Sequence, residues 1–265
     1  MARQQIKKFR RNSPVGKQTR NWLWGQHSVV ETLQVGRWRV YELYVTTEKA
    51  DLHADLIRSK VSDGVELNIV SNSKLEELCQ TSEHQGIVAR VSKYPYSSIE
   101  EMESLFQPQS DSVESARVQP ILVIMDRIQD ATQFATILRC CKEAAVCGVI
   151  IGEHCQSQVT TQISRACLGA VNHFPIFQIG DLSQAIGKAK EYGFSIVAYN
   201  PKSQLSLSDA PISTSVALLV GNDTQGLAPN LIALSDHQFG IPVLGKATSL
   251  PTMIATAILL YEIRS

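Results

Sequence analysis

Nothing in this sequence is apolar for long enough to cross a bilayer. The longest such run, 253–261, is interrupted by Thr256 and falls well short of the roughly 20 residues a spanning helix needs. Metal-site spacing is missing too. No two of the six cysteines stand as C-x-x-C, and the six histidines are scattered, so no structural metal is expected. Cys140, Cys141, Cys147, Cys155 and Cys167 instead crowd one apolar stretch with no secretory signal before them, and they read as reduced core residues of a cytoplasmic protein. Net charge is absent as well, with 25 basic and 25 acidic residues, so composition alone names no polyanionic partner.

The zero hides an uneven distribution. Residues 1–20 carry Arg3, Lys7, Lys8, Arg10, Arg11, Lys17 and Arg20 and no acid, which leaves 18 basic against 25 acidic residues for the rest. Ile6, Phe9 and Val15 alone punctuate this arm, too few for a packing face, so it is expected to be disordered and suited to phosphate contacts. Organelle-targeting peptides share that composition, and this alternative stays open.

The 265 residues of the chain suffice for two domains with their own cores beyond the arm. Over 21–93 the periodicity predicts helices at 27–33, 52–61 and 74–78 and strands at 40–45, 65–70 and 86–91, a small α/β unit. Residues 94–120 bring Pro95, Pro108, Pro120 and a polar run, and read as a linker with one short helix near 99–106. From 121 to 265 the strands are more apolar, at 121–125, 148–151, 195–198, 216–220 and 238–241. Helices fit at 132–145, 160–168, 182–192, 228–234 and 252–263. Apolar strands alternating with helices imply a mostly parallel sheet covered on both faces, with ligands at the strands' carboxyl ends.

Three segments sit where such ligands bind. The first follows strand 121–125 and carries Gln133 and, six residues on, Arg139, although an arginine on an amphipathic helix is commonly a solvated group. The second, 221–227, sets two glycines around a polar turn. Asp223 within it suits a ribose hydroxyl or the cap of the following helix, and an ordinary strand-to-helix turn would look similar. The third runs from Ile241 through Gly245 to Ser249, Leu250 and Pro251. It contains Gly240-x-x-x-x-Gly245-Lys246, a partial P-loop, but Ala247 stands where a magnesium-binding hydroxyl belongs. Ser249 suits the N-cap of the last helix, which is apolar nearly all round and must be covered on most sides.

In order and separation these segments resemble the three signature motifs of the SpoU, or TrmH, family of knotted methyltransferases. Asp130, Gln133 and Arg139 fall on the first motif, and Leu219 to Asp223 with Gly226 and Leu227 on the second. Ile241, Pro242, Gly245, Ser249, Leu250 and the helix ending at Glu262 fall on the third. The strings at 24–29 (WGQHSV) and 84–87 (HQGI) resemble the small substrate-binding domain, of L30e-like fold, that many members carry. The layout is similar to that of bacterial enzymes methylating a guanosine ribose of large-subunit ribosomal RNA.

The resemblance implies a trefoil-knotted, mostly parallel α/β domain after the L30e-like one, a homodimer covering the last helix, and S-adenosylmethionine as cofactor. It implies cofactor contacts at Gly221, Ile241, Leu250, Leu219 and Asp223, and catalytic roles for Arg139, Gln133 and Ser249. The substrate implied is a ribose 2'-hydroxyl of ribosomal or transfer RNA. Four positions depart from the pattern: Gln133 for Asn, Asp223 for Glu, Pro251 for Asn and Met253 for Ser. They leave a second expectation beside the enzyme, a non-catalytic RNA-binding relative that keeps the scaffold.

Overall fold

Two strands are apolar enough to be buried along their whole length, β5 (Ile121–Asp126) and β9 (Val216–Gly221), and they lie side by side. In the computed structural model, which describes residues 21–106, 119–206, 215–245 and 249–265, they form the centre of a six-stranded sheet. Its other strands are β6 (Gly148–Gly152), β7 (Ile176–Ile179), β8 (Ser195–Tyr199) and β10 (His237–Phe239). The order is β10-β8-β9-β5-β6-β7, and every pairing is parallel. Each fully buried Leu, Ile or Val of these strands contributes about 1.5–3 kcal/mol.

One face of the sheet is covered by α6 (Ala131–Glu143), α7 (Thr161–Ala166) and α10 (Thr252–Arg264). The other is covered by α8 (Leu182–Glu191), α9 (Pro229–Ala233) and, from the segment before the sheet, α5 (Ile99–Phe106). α6 turns Phe134, Ile137, Leu138 and Cys141 inward, and the Asp130 carboxylate accepts the Gln133 N–H at 2.7 Å to cap it. At the far end the Arg264 guanidinium donates to the carbonyls of Ala144, at 2.7 Å, and Ala145, at 2.8 Å, closing the C-terminus of α6 with the last turn of α10.

Between β10 and α10 the chain returns from the sheet edge across the ends of β8 and β9. A Cβ on Gly240 would lie 2.1 Å from the Ser203 carbonyl oxygen, so only glycine lets the two backbones pass.

The small domain is a four-stranded sheet of order β1-β4-β2-β3, from β1 (Asn21–Trp24), β2 (Val40–Val45), β3 (Glu66–Ile69) and β4 (Ile87–Val91). Around it lie α1 (Gln26–Val35), α2 (Thr47–Leu52), α3 (Ala54–Ser62) and α4 (Asn72–Cys79). It is seated firmly on the large domain. Asn172 Nδ2 donates to Thr32 Oγ1 at 3.1 Å, Tyr94 OH to the Val171 carbonyl at 2.6 Å, and Glu31 pairs with both Lys142 and His173.

Several sequence expectations are corrected. β1, β7 and α2 were not anticipated; the helix expected over 52–61 is α3, starting two residues later at Ala54 after a break at His53; and β10 ends before Ile241. The expected linker is packed rather than free over its first part: Ser97 N–H donates to the Ile176 carbonyl at 2.9 Å, and Met102 is fully buried. All six cysteines are free, but Cys155 is exposed in a loop rather than part of the core. Burial pushes the Cys147 thiol up to about 12.

Candidate functional site

The carboxyl ends of β5, β8 and β9 meet at the point where the strand order reverses, the place where parallel sheets hold ligands. The loop leaving β9 is folded tightly there. A Cβ on Gly221 would stand 2.6 Å from both the Gly226 carbonyl carbon and the Leu227 nitrogen, so the turn tolerates no side chain. Asn222 Oδ1 accepts the N–H groups of Thr224 (2.8 Å) and Gln225 (3.2 Å), and its amide donates to the Arg127 carbonyl at 3.1 Å. The neighbouring loop answers with buried Asp126, which holds Arg127 through two bonds of 3.0 Å and accepts the Ala228 N–H at 2.8 Å. Arg127 also donates to Gln225 and to the Gly226 carbonyl. The two loops are thereby locked into one rigid wall.

Asp223 projects from this wall to the start of α10. Its carboxylate accepts the Thr252 N–H at 2.6 Å and the side-chain amide of Gln133, while Thr252 Oγ1 donates to the Gly221 carbonyl at 2.9 Å. Sequence reasoning gave this cap to Ser249. Pro251 occupies the N-cap position and makes no side-chain cap of its own, and the cap comes from a loop outside the helix. Asp223 thus caps α10 and not the following helix, α9, whose N-cap is Ala228.

Between wall and helix lies a cavity of about 380 Å³, within the range of roughly 300–1,000 Å³ usual for small-molecule sites. Tyr199 and Asn200 border it from β8, Gly221 and Asp223 from β9, and Ser249 and Leu250 from the returning chain. Tyr199 OH donates to the Leu250 carbonyl at 3.4 Å. Burial, with the Asp223 carboxylate in addition, raises this hydroxyl above its ordinary value, so it stays a donor at neutral pH.

Of the residues named from sequence, Gly221, Asp223, Ser249 and Leu250 line the cavity, and Gln133 reaches it through Asp223. Leu219 is fully buried within the sheet and Ile241 lies just past β10; neither lines the cavity. Arg139 is exposed on α6, outside the cavity, with no ion pair or hydrogen bond among the described residues. Arg3, Lys7, Lys8, Arg10, Arg11, Lys17 and Arg20 lie outside the described residues. Tyr199, Asn200 and Thr252 were not anticipated. The end of the apolar strand at 195–198 was the signal for the first two. The P-loop reading loses its remaining support, because α10 begins only at Thr252. Among the described residues no three His, Cys, Asp or Glu side chains gather as a metal site.

Comparison with known proteins agrees with this arrangement. The SpoU rRNA Methylase family matches residues 120–261, and the RNA 2'-O ribose methyltransferase substrate binding family matches residues 22–97. The Bacillus subtilis protein YacO, assigned to the TrmH family of tRNA/rRNA methyltransferases, is 26% identical over 247 residues, covering 93% of this chain and 96% of its own. The 23S rRNA (guanosine-2'-O-)-methyltransferase RlmB of Shewanella oneidensis is 27% identical over 241 residues, covering 91% and 95%. An AdoMet-bound rRNA methyltransferase from Sinorhizobium meliloti superposes with a TM-score of 0.74 at 22% identity, over 92% of this chain and 87% of that one. The SpoU methyltransferase AviRb from Streptomyces viridochromogenes gives 0.70 at 20% identity, over 91% and 87%.

Proposed function

The chain belongs to the SpoU family of RNA methyltransferases, and from that premise we propose that it methylates a ribose 2'-hydroxyl of structured ribosomal or transfer RNA with S-adenosylmethionine as donor. The observation that carries this reading is the meeting of the second and third sequence motifs around one cavity, with the first tied to it through the bond from Gln133 to Asp223.

The cavity suits that donor. Leu227, Ile232 and Leu250 offer apolar walls to a flat base, and Asp223 offers a carboxylate to ribose hydroxyls. The tight turn at Gly221 keeps side chains away from the backbone groups that would hold the rest. When bound, the donor supplies a methyl group activated by its sulfonium. The chain's own residues then position and neutralise. Arg139, whose guanidinium has no partner among the described residues, clamps the phosphate beside the target ribose and stabilises the charge that develops on the 2'-oxygen as its proton passes to solvent. Alignment supplies the remainder.

The proposed assembly is a homodimer. α10 leaves Ile254 and Tyr261 exposed at 43% and 76% on an otherwise apolar helix, a surface a second copy would cover. A cytoplasmic location accords with the RNA substrate, and no helix among the described residues is long and apolar enough to cross a membrane.

The test is to incubate the protein and its Arg139→Ala variant with labelled S-adenosylmethionine and ribosomal or transfer RNA, then digest and search for 2'-O-methylated nucleosides. The protein is expected to transfer and the variant to fail while binding the donor equally. Donor binding with no transfer to either RNA class would refute the enzyme and leave the RNA-binding relative that the four departures from the family pattern first suggested.

A further inference from the structure

Leu250 and Thr252 stand in one wall of the cavity, on either side of Pro251, and this wall is held from two strands at once. On the β9 side Asp223 accepts the Thr252 N–H at 2.6 Å, and Thr252 Oγ1 donates to the Gly221 carbonyl at 2.9 Å. On the β8 side the Tyr199 hydroxyl donates to the Leu250 carbonyl at 3.4 Å. The first acceptor of α10 is Pro251, which takes the N–H groups of Ile254 and Ala255 at 2.9 and 3.0 Å. The Leu250 carbonyl therefore stands before the helical ladder, and Tyr199 reaches it from the sheet.

Between the two held groups lies very little freedom. The Leu250 carbonyl and the Thr252 N–H belong to the peptide planes on either side of Pro251, so only the φ and ψ of that residue set one against the other. The proline ring fixes φ, here −54°, and ψ, here 138°, is left as the one soft torsion. Asp223 and Gly221 fix the Thr252 side and cap the helix whatever ψ is. Fixing ψ needs a second hold on the far side, and the Tyr199 hydroxyl is that hold. A single torsion is set by even a long hydrogen bond. Packing does not explain the hydroxyl: the ring stands opposite Phe239 of β10, is only 6% exposed, and a phenylalanine would fill the same space.

We propose that Tyr199 is a positioning residue of the donor site, whose hydroxyl sets the free torsion at Pro251 and so aims Leu250 into the cavity. The proposal rests on the reading of that cavity as the S-adenosylmethionine site. With Tyr199 in place the wall is formed before the donor arrives, and binding carries no cost of ordering it. Without the hydroxyl, Leu250 turns about ψ while α10 stays capped, so donor affinity falls and the helix start remains intact. The polar group absent at position 251 is not restored by this contact; only the placement of the backbone is.

S-adenosylmethionine binding by calorimetry, and hydrogen exchange of the Thr252 amide, are measured for the protein, for Tyr199→Phe and for a control, Tyr96→Phe. The control also deletes a hydroxyl with partners, since Tyr96 OH accepts the Val159 N–H at 2.7 Å and donates to Gln158 Oε1 at 3.1 Å, but it lies outside the cavity. Tyr199→Phe is expected to bind the donor about fivefold more weakly, about 1 kcal/mol, with Thr252 exchange unchanged, and the control to bind as the protein does. Pro251→Gly keeps Tyr199 but frees φ at a position where glycine is tolerated as a cap, and a similar loss of about fivefold is expected; it carries the test if Tyr199→Phe does not fold. Unchanged donor affinity in these two variants overturns the proposal. So does a loss of affinity in Tyr199→Phe accompanied by fast Thr252 exchange, which would make the tyrosine a support of the helix rather than of the wall. Failure of the unaltered protein to bind the donor strikes the reading of the cavity itself, and is thereby told apart from failure of the positioning role alone.

Discussion

The bond between Gln133 and Asp223 joins two of the four positions that depart from the family pattern, and it makes an exchange experiment decisive. Gln133 is one methylene longer than the motif's asparagine and Asp223 one shorter than its glutamate, so the two changes cancel along the line on which they meet. Restoring either residue alone, by Gln133→Asn or Asp223→Glu, leaves the pair a methylene too short or too long. A hydrogen bond to a charged group is worth about 1.5–3 kcal/mol when buried, and solvent around exposed Asp223 reduces that to about 1 kcal/mol. Asp223 also caps α10 through Thr252, a contact worth about 0.5–2 kcal/mol. Each single exchange is therefore expected to lower stability by about 1 kcal/mol and weaken donor binding, and the double exchange to return within about 0.5 kcal/mol of the starting protein. Asp223→Ala, losing both contacts, is expected to cost about 2 kcal/mol, or about 4–8 °C in Tm. Urea titration and calorimetric donor binding on the four proteins give the coupling. Strictly additive single effects, or a double exchange no better than the worse single, would refute the reasoning.

Gly221→Ala drives a methyl group to 2.6 Å from the Gly226 and Leu227 backbone; a loss of about 1–3 kcal/mol in urea unfolding and of donor binding by calorimetry is expected, and retained binding would show that the loop opens freely. Burial works to raise the pKa of Glu31, but the hydrogen bonds from His173 and Lys142 outweigh it and hold the carboxyl below its ordinary value of 4.5. A carboxylate depressed in the folded state adds stability above that value and loses it as pH falls through the lower folded one. The stability gap between the protein and Glu31→Gln, read by urea titration, should thus be present near about pH 7 and close in acid. If about five cations of the arm engage RNA, log affinity falls with log salt at a slope of about −3 to −4, and deleting residues 1–20 should flatten it; an unchanged slope removes the arm from binding.

What the sequence conveyed follows the range of the forces involved. β5, β8 and β9 were legible because each is flanked on both sides in the sheet and covered on both faces, which demands an unbroken apolar run. β1 and β7 are edge strands of four residues, β7 meeting only a single bridge from Ser97 on its outer side, and so small a stretch carries little signal of its own. At the site, Gly221 was legible as a tight turn because its constraint is local, imposed by Gly226 and Leu227 a few residues on. The Asp223 contacts were not, since Gln133 lies 90 residues away and Thr252 29. Ser249 looked like the cap of α10 because the local pattern favours it; Pro251 takes the cap position, and a carboxylate folded in from another loop does the capping. The same non-local contact changes the meaning of the substitutions. Taken one at a time, Gln133 and Asp223 look like two defects in a catalytic pattern; bonded to each other, they are one altered but matched pair. The departures that leave polar groups of the pattern unreplaced are then Pro251 and Met253, both at the start of the helix that Asp223 caps.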